Sequence, residues 1–311
     1  MTAPAFTLRP TTPDDAADLS ALLRAAWNAD DDAVAYHGGG RVVEIAALED
    51  GQLTGYASLR RGTLHPAHLY VGVHVHPQAR QRGVGAALWE AVTAGVSGSL
   101  KTATSADQPQ AVRFLERRGL CVSVETHQPT LDLAALDAAK VEGWSAAARS
   151  PGFDLLPMTA LGGPEVNGQL AELHRRVYTH THQHDPPAAQ VLAKVDFLGD
   201  DLNPAWLWVA RRGGELAGVA SVRTTADPAW AELGWFGVTA EHAADGAALT
   251  LALTALALQA AGTDGVQEVS AELDSADPNA ALLLSALPWQ PGRVWLTLTS
   301  ASAGRPTTSQ D

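Results

Sequence analysis

The chain has 311 residues and a single cysteine, Cys121, so it cannot form an internal disulfide. Such scarcity of cysteine fits a reducing compartment. The first ten residues, MTAPAFTLRP, lack a basic start followed by an apolar run, which argues against a signal peptide. The expected location is therefore the cytoplasm.

Long apolar runs are missing as well. The longest, residues 247–261, spans about 15 residues and contains Thr250, Thr254 and Gln259, whereas a membrane-spanning helix needs about 20 apolar residues. We therefore expect a buried helix of a soluble protein here, and no membrane as a partner.

Basic residues are outnumbered: 21 Lys and Arg stand against 34 Asp and Glu, a net charge of −13. No cluster of Lys and Arg is longer than a pair, which argues against nucleic acid and anionic membranes as partners. The imbalance is uneven, because residues 1–150 hold 13 basic and 16 acidic residues and residues 151–311 hold 8 and 18. With 46% hydrophobic residues, the length fits one large domain or two of about 150 residues.

The chain contains an internal repeat. Residues 51–60, GQLTGYASLR, align without gaps with residues 214–223, GELAGVASVR, and six of the ten positions are identical. The same offset of 163 places Val75 on Val238 and Gly83 on Gly246. A repeat of this size is a domain, so the sequence predicts two copies of one fold.

Each copy mixes strands and helices. In the first, the sequence predicts a capped helix from residue 16, a hairpin around residues 49–51, and a strand over residues 69–75 followed by a helix over 83–93. A strand over 101–104, a helix over 109–118 and two strands over 121–125 and 130–133 complete it. This order indicates an α/β or α+β fold with a mixed sheet. We expect domains over residues 1–136 and 153–300, a linker over 137–152 that ends in Ser-Pro-Gly, and a disordered tail over 301–311.

The sharpest local pattern is residues 75–88, VHPQARQRGVGAAL, in which a strand ends, the chain turns and an apolar helix begins. A helix N-terminus presents unpaired N–H groups and a positive dipole, which together bind anions. Gly83 and Gly85 let the backbone approach an anion closely, and Arg80 and Arg82 add positive charge. The alternative is a tight strand-to-helix turn without a ligand.

Residues 80–85, RQRGVG, with the preceding strand end 73–75, resemble the acetyl-CoA loop of the GCN5-related N-acetyltransferases (GNAT). Residues 108–120, QPQAVRFLERRGL, resemble the second signature of that family. The resemblance covers nearly all of residues 6–133 and recurs more weakly over 153–299. It implies two tandem GNAT-type domains, each a mixed, mostly antiparallel twisted sheet flanked by helices, and an acetyl-CoA-dependent N-acetyltransferase that acts on a primary amine.

The resemblance also implies a cofactor site. The backbone of residues 81–86 would cradle the pyrophosphate, and the edge of residues 73–75 would bind the pantetheine arm where a β-bulge separates two strands. Gln108 would stand where the family commonly has an Asn that contacts the cofactor. The expected cofactor-binding residues are Val73, His74, Val75, Arg80, Gln81, Arg82, Gly83, Val84, Gly85, Ala86 and Gln108.

The usual acid–base pair of the family is missing. Leu69 and Val71 stand where a Glu or His base is common, and Leu115 stands in place of a Tyr acid. Positioning an amine beside the thioester is itself a large catalytic effect. Tyr36 and His37, which follow three Asp residues in a glycine-rich stretch, are weak catalytic candidates. The alternative for that stretch is a solvated, flexible loop.

The second copy has acidic residues at the loop position. Asp245 replaces Arg82 and Ala248 replaces Gly85, and Glu241 adds another acid. Each would oppose a pyrophosphate by roughly 1 kcal/mol near the surface. We therefore expect that the second copy has lost cofactor binding and packs against the active one.

Two groups of histidines raise the question of a metal, because alternate His residues can share a face and chelate. Neither group has Cys or clearly placed carboxylates beside it, so no metal is expected. The groups are His65, His68, His74 and His76, and His180, His182 and His184.

The leading functional interpretation is acetyl transfer by the N-terminal copy to a small-molecule or peptide amine, with the acidic chain favouring a cationic acceptor. One alternative is a catalytically silent acetyl-CoA sensor or scaffold. Another is an enzyme similar to the mycothiol synthases, in which the C-terminal copy is generally catalytic. The expected oligomeric state is a monomer or a homodimer.

Overall fold

The computed structural model describes residues 6–28, 43–163 and 165–300. The chain divides into two compact units. Unit 1 comprises residues 1–102, 115–121 and 298–311, and unit 2 comprises residues 103–114 and 122–297.

Unit 1 contains five neighbouring strands and two helices that matter for the site. Strands β1 to β4 are antiparallel neighbours in chain order, and β5 joins β4 in parallel. The elements are β1 (Thr7–Pro10), α1 (Ala16–Ala26), β2 (Val43–Glu49), β3 (Gln52–Arg61), β4 (His68–Val75), α2 (Val84–Thr93) and β5 (Ser99–Ser105), followed by α3 (Pro109–Glu116) and β6 (Leu120–Asp132), which contribute residues to both units.

Unit 2 repeats the arrangement. Its strands follow the order β6-β11-β10-β9-β8-β7, and the pair β10–β11 is parallel whereas the others are antiparallel. The elements are α4 (Ala138–Arg149), β7 (Asp154–Pro157), α5 (Val166–Thr181), α6 (Ala189–Leu192), β8 (Leu202–Arg212), β9 (Glu215–Thr224), β10 (Trp230–Val238), α7 (Gly246–Thr263), β11 (Glu268–Ser270), β12 (Leu273–Asp274), α8 (Pro278–Ala286) and β13 (Gln290–Ser300). The predicted fold class, a mixed and mostly antiparallel sheet flanked by helices, is confirmed.

The start of α1 follows from its capping residues. The Thr12 backbone N–H donates to Asp15 Oδ2 at 2.7 Å, and the Arg9 guanidinium donates to both carboxylate oxygens at 2.7 Å. Arg9 and Thr12 hold the pKa of Asp15 well below its ordinary value. Leu22 and Leu23 then pack with Tyr56 of β3, so α1 covers one face of the sheet.

Close packing against neighbouring elements explains the glycines shared by the two copies. A Cβ on Gly55 would lie 2.7 Å from Leu88 Cδ1 and 2.8 Å from Val84 Cγ1, both on α2. A Cβ on Gly218, at the same place in the second copy, would lie 3.0 Å from Val238 Cγ1. Gly55 in β3 and Gly218 in β9 therefore allow neighbouring elements to pack closely against these two strands.

The predicted linker, residues 137–152, is largely helix α4. The Asp137 carboxylate accepts a hydrogen bond from the Ala139 N–H at 2.9 Å and caps the helix, which packs against α7. The strands expected over 121–125 and 130–133 are one continuous strand, β6.

The apolar run of residues 247–261 lies within α7. By length and composition alone, Ala240–Thr263 is apolar enough to cross a membrane. However, α7 packs against α4, β8 and β9, and Leu249, Leu253 and Leu258 are fully buried. The expected buried helix is present in the core of unit 2.

Candidate cofactor site

The loop between β4 and α2 passes through two residues with positive φ, Gln81 at +63° and Gly83 at +87°. A Cβ on Gly83 would have no atom within 4 Å, so backbone conformation, not space, favours glycine there. The N-cap residue of α2 is Gly83, which has no side chain to cap the helix that begins at Val84. The first N–H groups of α2 thus lack intrahelical acceptors, as an anion site requires.

The loop is exposed on one side and anchored on the other. Arg80, Gln81, Arg82 and Gly83 are exposed, whereas Val84, the first residue of α2, is buried. The Arg82 guanidinium is ion-paired with the carboxylate of Glu49, at the end of β2. The positive charge at the helix N-terminus is therefore accompanied by one carboxylate.

The edge of β4 beside the loop is open. Strand β4 pairs with β3 from Leu69 to Val75, but it pairs with β5 only over His68, Leu69 and Tyr70. Within the described pairings, residues 71–75 have no partner on β5. This leaves a strand edge that can hydrogen-bond an extended arm.

The expected β-bulge is not found in β4. The register between β3 and β4 runs without a shift from Leu69 to Val75, so that expectation was wrong. Strands β4 and β5 separate after Tyr70, where their pairing ends. The second copy does have a register shift, between Leu233 and Phe236 of β10.

The side chain of His74 is buried among residues of unit 1. It is only 5% exposed, and its Nδ1 accepts a hydrogen bond from Trp27 Nε1 at 3.2 Å. Since an indole N–H can only donate, Nδ1 is the unprotonated nitrogen of the neutral ring. The ring stacks on Tyr56, whose hydroxyl donates to the Glu44 carboxylate. The His74 side chain is thus held by Trp27 and Tyr56, and a contact of His74 with the cofactor remains a prediction.

The polar group formed by Glu44, Tyr56, His74 and Trp27 was not found from the sequence. Its members come from β2, β3, β4 and the end of α1. The sequence feature that could have indicated it is the antiparallel pairing of β3 with β4, which places Tyr56 opposite His74.

The positions of the missing acid–base pair are part of the hydrophobic packing. Val71 is 4% exposed and Leu115 is 7% exposed, and Leu69 is half-buried. The structure therefore offers no acid–base group at those three positions. Tyr36 and His37 lie outside the described residues.

Gln108 lies in unit 2, immediately before α3. Its backbone N–H donates to Ser105 O at 3.0 Å, and its carbonyl accepts hydrogen bonds from the N–H groups of Ala111 and Val112. The residue is half-buried. Its proposed contact with the cofactor remains a prediction.

In the corresponding loop of the second copy, each of the two acidic side chains forms an ion pair with an arginine of a neighbouring element. Glu241 pairs with Arg176 at 3.1 Å, and Asp245 pairs with Arg212 at 3.6 Å. A backbone hydrogen bond, followed by the contacts with Arg176 and Thr239, lowers the pKa of Glu241 to about 2. Glu241 therefore stays ionised at neutral pH, beside the N-terminus of α7.

Asn279 fills the space next to that helix. Its Oδ1 accepts from Thr250 Oγ1 at 3.0 Å, and its Nδ2 donates to Asp277 Oδ1 at 3.0 Å. A Cβ on Gly246 would lie 3.9 Å from Asn279 Oδ1, and Asn279 is only 7% exposed. A side chain of α8 thus occupies the surroundings of the α7 N-terminus.

The histidines have separate partners. His68 Nδ1 lies 2.9 Å from Ser99 Oγ, and His76 Nδ1 accepts from the Gln78 N–H at 3.4 Å. His182 stacks on Tyr178 at 3.8 Å between ring centroids. Among residues 6–28, 43–163 and 165–300, no three or more His, Cys, Asp or Glu side chains are grouped to hold a metal.

Comparisons with known proteins agree with this arrangement. Residues 8–120 match the model of the acetyltransferase (GNAT) family. No curated protein matches the chain.

Solved structures resemble the chain over almost its whole length. A GCN5-related N-acetyltransferase from Sphaerobacter thermophilus is 16% identical, with 97% of each chain covered and a TM-score of 0.59. A tandem GNAT protein from the clavulanic acid biosynthesis pathway is 20% identical, with 97% of this chain and 99% of that chain covered and a TM-score of 0.56. A glucosamine N-acetyltransferase region of a fungal multi-domain β-N-acetylglucosaminidase is 16% identical, with 96% of this chain and 38% of that chain covered and a TM-score of 0.65. At these identities the likeness shows the fold alone.

Proposed function

Because residues 8–120 belong to the acetyltransferase (GNAT) family, we propose that the N-terminal copy of this chain transfers an acetyl group from acetyl-CoA to a primary amine. The observation that carries the proposal is the open N-terminus of α2. It combines uncapped N–H groups, Gly83 in the left-handed region and two arginines in the adjoining loop. These features suit the pyrophosphate of acetyl-CoA, the co-substrate that the family uses.

The residues of unit 1 bind and orient the donor. The N–H groups at the start of α2 hold the pyrophosphate, and the open edge of Val73 and Val75 holds the extended arm. Acetyl-CoA supplies the activated acetyl group. In the transfer, the amine nitrogen bonds to the acetyl carbon, the carbon–sulfur bond breaks, and the proton of the amine ends on the CoA thiol. Holding the two reactants together supplies much of the rate enhancement.

We assign donor binding to the first copy alone. Asn279 lies beside the start of α7, and the nearby Arg176 and Arg212 are already paired with Glu241 and Asp245, so this helix N-terminus is less suited to a polyanion. The same features disfavour an enzyme in which the C-terminal copy is catalytic. One acetyl-CoA molecule per chain is therefore proposed.

A silent acetyl-CoA sensor is the second candidate function. The apolar packing of Leu69, Val71 and Leu115 favours it, because the usual positions of the base and acid carry no ionisable group. Such a protein would bind acetyl-CoA and release no CoA.

Release of free thiol distinguishes the two. The protein is incubated with acetyl-CoA and a panel of polyamines, aminoglycosides and peptide N-termini, and thiol is measured against a reaction without acceptor. We expect at least one cationic amine to give thiol in equal amount to acetylated product. Binding of acetyl-CoA with no thiol release on the whole panel would favour the sensor.

A further inference from the structure

Arg80 directs its guanidinium to two main-chain oxygens of unit 1. Its Nε donates to Val75 O at 3.2 Å, and its Nη2 donates to Ala26 O at 3.0 Å. Val75 is the last residue of β4, and Ala26 is the last residue of α1. The side chain therefore joins the ends of two elements immediately before the loop.

The shape of the guanidinium makes this link directional. Its N–H groups form a rigid planar fork, so bonds from Nε and Nη2 fix the orientation of one carbonyl relative to the other. The bond to Val75 closes the chain between residues 75 and 80. Gln81, with a φ of +63°, follows directly, so Arg80 restrains the point at which the loop turns.

A second contact binds the same end of α1 to the same strand. Trp27, the residue after Ala26, donates from Nε1 to Nδ1 of His74. The last carbonyl groups of a helix have no intrahelical partner, and a cationic donor suits them. Arg80 and His74 thus attach the last residue of α1 and the residue after it to the segment that leads into the loop.

Arg82 provides an internal comparison. It lies two residues further along the same loop, is also exposed and carries the same charge, but it pairs with the carboxylate of Glu49. The two arginines therefore allow geometry and charge to be separated.

We propose that Arg80 is a positioning residue, which holds the ends of α1 and β4 together so that the N–H groups of residues 81–86 converge on the pyrophosphate. It acts through the fork of its guanidinium and not through its charge. The inference rests on the proposed function, because it requires CoA to bind at this loop.

The test measures the dissociation constant of CoA by calorimetry at two salt concentrations for the wild type, Arg80→Lys, Arg80→Gln, Arg82→Lys and Arg82→Gln. We expect both Arg80 variants to weaken binding by a similar factor, about tenfold, because Lys keeps the charge but loses the fork. Their salt dependence should match that of the wild type. Arg82→Lys keeps the charge and should lose less affinity than Arg80→Lys, and Arg82→Gln should bind more weakly with a smaller salt dependence.

Thermal melting shows which variants are folded at the assay temperature, and affinity is compared among folded proteins. Trp27→Phe tests the second link and should also weaken CoA binding. The inference is overturned if Arg80→Lys binds CoA like the wild type, or if Arg80→Gln alone is weakened and loses salt dependence. Absence of CoA binding by the wild type would instead refute the proposed function.

Discussion

At the scale of single residues, the backbone conformation of Gly83 decides whether the loop can present its N–H groups. Gly51, in the β2–β3 turn, is a matched control: φ is +87° at Gly83 and +78° at Gly51, and a Cβ at either has no atom within 4 Å. Alanine in the left-handed region costs about 1–2 kcal/mol, so Gly83→Ala and Gly51→Ala should lower stability by similar amounts. We expect only Gly83→Ala to lose CoA affinity, by roughly tenfold or more.

Calorimetry and thermal melting of the two variants give this comparison directly. Equal CoA affinity in Gly83→Ala and Gly51→Ala would show that the loop does not bind the ligand.

Glu49 competes with the ligand for Arg82. Its carboxylate is paired with the Arg82 guanidinium, and it places negative charge beside the expected pyrophosphate. Two charges at about 4 Å in water interact by roughly 1 kcal/mol, so Glu49→Gln should tighten CoA binding by about fivefold. Glu90→Gln, which removes an exposed acid from α2, is the control and should change the affinity little. Weaker binding by Glu49→Gln would mean that Glu49 orients Arg82 for the ligand.

At the scale of elements, the distance between α2 and β3 positions the helix N-terminus. The Cβ introduced by Gly55→Ala would meet side-chain atoms of Leu88 and Val84 at under 3 Å, so these side chains or α2 itself must shift. Overpacking of this kind costs about 1–3 kcal/mol. We expect Gly55→Ala to lower both the melting temperature and the CoA affinity.

Gly218→Ala makes the same change in the second copy, where the new Cβ would lie 3.0 Å from Gly237 O and Val238 Cγ1. It should lower the melting temperature and leave CoA affinity unchanged. Loss of CoA binding in Gly218→Ala would indicate a ligand site in the second copy and contradict the proposal that only the first copy binds the donor.

The helices and strands also differ in how well the sequence could predict them. The β4–loop–α2 segment was predictable because its signals are local: alternating residues in a strand, glycines in the turn and an apolar helix. Residues 137–152 were assigned to a linker because they end in Ser-Pro-Gly, whereas the structure shows that Asp137 caps a helix there. Contacts between distant residues, such as Arg80 with Ala26 and Asn279 with Thr250, leave no local pattern. The separation of β4 from β5 also depends on tertiary packing, which the repeat alone does not specify.

At the scale of the whole molecule, a buried histidine in unit 2 makes stability depend on pH. Burial lowers the pKa of His174 from 6.5 to about 4; its Nδ1 lies 2.8 Å from Leu170 O, and its ring stacks on Phe197. The unfolded chain then binds the proton more tightly than the folded chain. Stability should therefore be fully present above pH 6.5 and fall as the pH drops toward 4, by up to roughly 3 kcal/mol.

Denaturant unfolding of the wild type and His174→Gln at pH 7.5, 5.5 and 4.5 tests this. The variant should be less stable at pH 7.5 and lose less stability on acidification. A parallel decline in the two proteins would assign the acid sensitivity to other groups.

The two copies differ in what surrounds the start of the loop helix, although they share the same strand order around it. In the first, α2 is uncapped and flanked by arginines; in the second, α7 is flanked by Glu241, Asp245 and Asn279. The net charge of −13 is mostly distributed over the chain, but at this one place its asymmetry separates the two copies.

The central claim, that the first copy alone binds the donor, is tested most directly by the stoichiometry of a calorimetric titration with CoA. The account predicts one molecule per chain, with the affinity lowered roughly tenfold or more in Gly83→Ala and unchanged in Asp245→Asn. No binding by the wild type at millimolar CoA, two molecules per chain, or wild-type affinity in Gly83→Ala would contradict it.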